Sequence, residues 1–219
     1  MYNSKNDTKK HIKKVKEFIG RFSKELKFRA KMHDKSKLSK QEKEYFDIYT
    51  PKLKDCTYGS EEYKQYLEEL QVALNHHYKN NKHHPEHWEH GINNMSLVDI
   101  VEMLCDWKAA TLRHNDGDLL KSIELNQKRF GYSDELKQIM LNEAKYMYKY
   151  RVDWYRPDGK GIILADTVEK LHIKVRENSL ITDREKDYII NVCYTNRMKF
   201  KTDSITIYNG FCIYWKVQY

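Results

Sequence analysis

The chain has 219 residues, enough for one ordinary domain or one domain with a small appendage, and its 40% hydrophobic content supports a true core, which excludes collagen-like, coiled-coil-only and wholly disordered readings. Forty Lys and Arg against 32 Asp and Glu give a net charge of +8, which suits an anionic partner without identifying one, because both signs are plentiful. Only eight Gly and three Pro punctuate the sequence, so long helices are expected rather than many short strands and turns.

The first residues, MYNSKNDTKKHIKK, are charged and lack the apolar stretch of a secretion signal, so a soluble, unexported protein is expected, cytoplasmic or in the host cytoplasm if phage-encoded. Helix signals then follow in order. Ser39 with Glu42, Ser96 with Asp99 and Thr182 with Glu185 fit the capping box, in which hydroxyl and carboxylate each satisfy an unpaired backbone N–H. Ser60 and Ser133, each followed by two acidic residues, read as further N-caps. These signals predict helices near 8–19, 23–33, 40–49, 60–79, 97–115 and 134–149, with a break expected at Gly20–Ser23.

After Tyr150 the texture changes. RPDGKG is the strongest breaker cluster, two helices are predicted near 162–177 and 183–197, and Asn209-Gly210 between β-branched and aromatic runs is the best short hairpin signal. The expected fold class is mainly α: a helical bundle over 1–149 and a small α+β accessory region over 150–219 that ends in a β-hairpin. Cys56, Cys105, Cys193 and Cys212 are scattered, without a C-x-x-C pair, and read as reduced, buried thiols.

Nine of the ten histidines precede residue 115, and His76, His77, His83, His84, His87 and His90 fall within fifteen positions. Imidazole and carboxylate are the usual ligands of Mn, Fe, Co, Ni or Zn, although a histidine-rich loop taken alone is more often a solvated one. Helical phase shifts that balance. Tyr63, Tyr66, Leu67, Leu70, Ala73 and Leu74 form a stripe whose continuation lands on His77, while Pro85 cannot extend the helix and puts His83 and His84 on a turn. The 97–115 helix is apolar nearly all round, yet Asp99, Glu102 and Asp106 run along it as an acidic strip; Asp99 is explained by its capping box, and Asp106 is the strongest metal candidate of the three. His33-Asp34 closes the second predicted helix, where a helix end frees both side chains to converge.

Together His11, His33, Asp34, His77, His83, His84 and Asp106 resemble the signature of the HD-domain metal phosphohydrolases: a His, a His-Asp pair and a final Asp on a helical bundle. HDKSK, with Lys37 three residues after Asp34, and HHPEHWEHG followed by MSLVDIVEMLCDWKAA resemble the cyclic-dinucleotide phosphodiesterase type, without the Gly-Tyr-Pro that follows there. The run from HI..V through HD.SK, N.HHPEHW and DW.A to RHNDGD is more closely similar to uncharacterised HD-like proteins of bacteria and phages, over residues 8–149.

The resemblance implies one or two divalent transition-metal ions on those seven residues, and hydrolysis of a phosphomono- or phosphodiester in a nucleotide or a cyclic or oligonucleotide. Lys37 and Arg113 would neutralise phosphate charge, the latter because it lies on nearly the same helix side as Asp106; Glu86 or His87 would move protons or contact substrate. Two alternatives come from other classes: a nucleic-acid binder that uses the 17 tyrosines and many lysines, and an HD-like di-iron oxygenase with the same ligand types. No membrane partner is expected, because no apolar run approaches the roughly 18 residues of a span.

Overall fold

The computed structural model describes residues 3–56, 60–113, 117–156, 159–196, 204–208 and 211–215. Nine α-helices and four strands occur among them, the expected mainly α fold closing in an antiparallel pair of strands. The chain falls into two compact units: Met1–Trp107 with Asn126–Tyr132, and Lys108–Leu125 with Ser133–Tyr219.

The first unit begins with α1 (Lys5–Met32), an unbroken 28-residue helix where two helices were predicted. Gly20 sits inside it with open space where a Cβ would be, so it is neither a packing contact nor a bend. A glycine costs a helix interior only about 1 kcal/mol, too little to interrupt seven good turns. After α1 come α2 (Lys40–Asp55), α3 (Glu61–Glu69), α4 (Gln71–Asn80) and the first part of α5 (Leu97–Thr111), with 3₁₀ turns at Lys35–Leu38, Pro85–His87 and Gly91–Asn94. The predicted 60–79 helix divides at Leu70, which is itself buried.

Two predicted N-terminal devices take different forms here. Ser96 and Asp99 make the reciprocal capping box, Ser96 N–H donating to Asp99 Oδ2 at 2.9 Å and Asp99 N–H to Ser96 Oγ at 3.3 Å. Ser39 makes no such bond, and the Glu42 carboxylate is turned inward and wholly buried instead of reaching back to the Ser39 N–H. The expectation that α5 is buried all round is also corrected: Asp99, Met103 and Leu104 are buried, while Leu97, Val101 and Cys105 are exposed. Cys56 is half-buried, and the side chains of Cys193 and Cys212 lie outside those described.

The second unit carries the apolar core. Val152, Ile163, Ala165, Leu171, Val175, Ile181 and Ile189 pack together from a sheet and two helices, α8 (Val168–Glu177) and α9 (Asp183–Asn196). The sheet order is β2-β1-β4-β3, all antiparallel, with β1 (Tyr150–Arg156), β2 (Gly159–Ala165), β3 (Ser204–Tyr208) and β4 (Phe211–Trp215). The first turn of the predicted 162–177 helix is therefore strand, since Ile162, Ile163, Leu164 and Ala165 pair with β1. Asn209-Gly210 lies outside the described residues, between β3 and β4. This unit also contains α6 (Leu119–Phe130) up to Leu125, a helix that sequence reading missed, and α7 (Asp134–Ala144). Lys108 is buried there, its Nζ 2.6 Å from Asp166 Oδ1 and 3.5 Å above the Tyr148 ring.

Continuity of α1 has a direct test. Gly20→Ala adds a methyl to open space and removes backbone freedom from the unfolded chain, so it should raise stability by about 0.5–1 kcal/mol and leave helix content unchanged or higher. A denaturant midpoint that falls instead would put a bend at this position.

Candidate metal centre

Three pieces of chain in the first unit meet around a polar centre. α1 stops at Met32, His33 leaves the helix, and Asp34 takes a left-handed backbone (φ 54°, ψ 14°) before the 3₁₀ turn that carries Ser36 and Lys37. Asp is one of the few residues besides Gly that tolerates this region, and the reversal turns the neighbouring His and Asp toward one side. α4 supplies His77, buried as its helical phase predicts, with His76 only half-buried. The segment after α4 supplies His83 and His84, ahead of Pro85. There Trp88 Nε1 donates to the Lys82 carbonyl and His87 Nδ1 donates to the Tyr78 carbonyl, each at 2.9 Å. α5 adds Glu102 and Asp106.

Asp34 Oδ1 lies 3.3 Å from His77 Nε2 and 3.5 Å from His83 Nε2, and His77 Nε2 lies 2.9 Å from His84 Nε2. One donor atom from each of these four residues falls within 4.8 Å of all the others. Two further groups share members with the first: His33, Asp34 and Asp106, and His33, His83 and Glu102. Asp34 Oδ1 and His83 Nε2 are both buried and have no hydrogen-bond partner. Burying such atoms unpaired costs about 1–3 kcal/mol each, so two of them aimed at the same point mark a place shaped for something that accepts lone pairs. Imidazole nitrogens and a carboxylate oxygen fit a divalent transition metal.

The imidazoles are oriented from behind. His77 Nδ1 donates to Glu42 Oε2 at 2.9 Å, and Ser36 Oγ donates to the same oxygen at 3.1 Å. His76 Nδ1 donates to Glu42 Oε1 at 2.6 Å, while Asn81 Nδ2 donates to Ser36 Oγ at 2.7 Å. With its Nδ1 held by Glu42, His77 turns its Nε2 toward the centre. His33 and His83 face Glu102 Oε1 through Nδ1, at 3.0 and 3.2 Å, and the other Glu102 oxygen accepts from Arg29 Nε at 2.7 Å. Arg29 also pairs with Asp99, which ties the end of α1 to the start of α5.

These contacts divide the protonation states. Facing Asp106 and bonded to Glu102, His33 is pushed up to about 10 despite its partial burial. His84 moves the other way, to about 3, because burial and the neighbouring His83 and His77 disfavour its cation. Burial would raise the carboxyls of Asp34 and Glu102, but both are held well below the usual range, Asp34 by His77 and Lys37 and Glu102 by His33, His83 and Arg29. Burial would raise Asp106 too, but its carboxyl is lowered chiefly by the His33 imidazole facing it at 3.6 Å, which also outweighs the nearby Asp34 charge.

The centre brings together His33, Asp34, His77, His83, His84 and Asp106, six of the seven metal candidates. His11 is corrected: 22 residues of helical rise place it about 33 Å along the axis of α1 from His33, too far to share an ion. Lys37 lies beside the centre, its Nζ 2.6 Å from Asp34 Oδ2 and 5.3 Å above the Phe46 ring. Glu86 lies in an ion pair with Arg129 at 2.7 Å, and His87 holds its loop as described. For Arg113, α5 ends at Thr111 and the residue is exposed in the following turn, so the helical phase that aligned it with Asp106 does not reach it. Sequence reasoning missed Glu42, Ser36, Asn81 and Arg29, and passed over Glu102 in favour of Asp106. For Glu42 the missed signal was an acid placed where a capping box already accounted for it.

Fold and site define a mainly helical protein whose first unit is organised around a candidate metal centre. Residues 1–149 match the family described as "Family of unknown function (DUF5662)", and the chain belongs to that family. No curated protein and no solved structure matches the chain. No described helix is long and apolar enough to cross a membrane.

The His33 shift sets the sign of a pH dependence. Below about 10 this imidazole holds a proton that a cation must displace, whereas His84 is already neutral above about 3. Apparent metal affinity should therefore rise with pH between 6.5 and 8.5, by up to about tenfold per unit for one displaced proton, and His33→Ala should flatten the slope by that one proton. Titration calorimetry in buffers of different ionisation enthalpy measures it; an unchanged slope in His33→Ala removes His33 from the ligand set.

Proposed function

We propose that the protein is a metal-dependent phosphohydrolase that acts on a nucleotide or a cyclic or oligonucleotide phosphoester through its His/Asp centre. The observation that carries this reading is the convergence of two buried, unpartnered atoms, Asp34 Oδ1 and His83 Nε2, with His77 and His84 Nε2. The order of these residues along the chain, which resembles that of HD phosphohydrolases, supplies the reaction class.

His33, Asp34, His77, His83, His84 and Asp106 would hold one or two ions, with Glu102 as a further carboxylate donor within reach of His33 and His83. A divalent cation bound there lowers the pKa of its water toward about 7 and polarises a phosphoryl oxygen. The chain's own groups do the rest. Glu42 and Glu102 hold the Nδ1 atoms of His77, His83 and His33, and so keep each Nε2 directed inward. Lys37, with its ammonium on Asp34 and three donors on a flexible stem, attracts phosphate charge and can turn from the carboxylate to a substrate oxygen. The net charge of +8 favours approach of an anionic substrate.

Elemental analysis of the purified protein, followed by a screen of nucleotides, cyclic dinucleotides and an aryl phosphodiester with Mn, Co, Ni or Fe, tests the proposal. Asp34→Asn, which tolerates the left-handed backbone, and His77→Ala should lose metal and phosphoester release together. Iron-dependent turnover in air without phosphoester release would replace this reading with an oxygenase. Glu42→Gln keeps the shape but not the charge behind His77 and should weaken metal affinity about 10–100-fold without emptying the site. Full metal affinity in that variant would mean that Glu42 does not orient the ligand.

A further inference from the structure

α1 holds no buried residue. Ile12, Val15, Phe18, Ile19 and Phe22 recur at three- and four-residue spacing along it, and each is 40–61% exposed. On a helical wheel they fill one arc of about 120°, while Lys9, Lys10, Lys13, Lys14, Lys16, Arg21, Lys24 and Lys27 lie around the remainder. The helix carries nine lysines and two arginines against three acids, a net +8 that equals the charge of the entire chain; the other residues sum to zero. Lys14 and Arg21 lie over the Phe18 ring, at 5.7 and 5.4 Å, so basic groups border the apolar strip closely.

We propose that α1 docks on the surface of an anionic phospholipid bilayer, lying in its plane with these five side chains among the acyl chains and the lysines on the headgroups. This inference is independent of the metal-centre reading. An exposed apolar strip flanked by concentrated positive charge matches the two layers of such a surface, apolar below and anionic above. A second copy fits less well. It would bring another +8 alongside the first, and five half-exposed side chains fall well short of the roughly 800 Å² per partner of a standard interface. Nucleic acid would satisfy the lysines and leave the apolar strip in water. The expectation of no membrane partner rested on the lack of a span; a helix lying in the interface needs none.

Flotation of the full-length protein with vesicles of phosphatidylcholine, alone or mixed with phosphatidylglycerol, tests this. Binding is expected to the mixed vesicles only and to weaken with added salt. Ile19→Ser and Phe22→Ser should each reduce it about tenfold, the loss of one inserted apolar side chain. Lys13→Glu and Lys16→Glu should each reduce it about fivefold or more. Circular dichroism confirms that each variant keeps its helix. No binding, equal binding to neutral vesicles, or unchanged binding by the serine variants would overturn the proposal. So would a concentration-dependent dimer abolished by Phe22→Ser without vesicle binding, or a salt-sensitive shift with mixed-sequence RNA or DNA lost only in the glutamate variants without vesicle binding.

Discussion

The first unit depends on buried charge finding its complement. Asp34, Glu42, Glu102, His77 and His83 are largely withdrawn from water, where an unpaired ionised group costs several kcal/mol. Glu42 and Glu102 are therefore surrounded by donors, Glu42 by His76, His77 and Ser36, and Glu102 by His33, His83 and Arg29. These crossings join the helices: Arg29 and His33 join the end of α1 to α5, while Glu42 joins α2 to α4. By contrast, the second unit follows the ordinary rule of an aliphatic cluster between a sheet and two helices.

That polar organisation explains which parts of the centre were legible in the sequence. His77 could be placed inward because a stripe of Leu70, Ala73 and Leu74 points at it, and His83 and His84 could be placed on a turn because Pro85 forbids further helix. Asp106 stood out as an acid on a largely apolar helix. Glu42 escaped because a local template explained it: Ser39 lies three residues ahead, and only the three-dimensional arrangement shows a carboxylate drawn to two imidazoles more than thirty residues away. Arg29 and Asn81 escaped for the same reason, since an arginine in a lysine-rich helix and a helix-ending asparagine carry no mark of long-range partners.

The fold was legible in class and less so in detail. Caps and apolar periods identified most helices, yet Gly20 was overweighted as a break when an otherwise continuous helical sequence outweighs one glycine. The Ile162–Ala165 run was read as helix because short apolar runs lack a period that separates strand from helix, and its pairing with β1 settles the matter through contacts absent from its own sequence. His11 failed with Gly20, because its candidacy required the bend.

At Asp34 two demands coincide on one side chain. Left-handed turns at helix ends usually tolerate glycine or asparagine, so such positions drift readily among small polar residues. Here glycine would suit the backbone and remove the oxygen that faces His77 and His83, asparagine would keep the shape and lose the anion beside Lys37, and glutamate would keep the anion on a stem that resists the turn. A backbone that several small residues could satisfy is thereby matched, at this one point of the chain, to a single side chain that meets both demands.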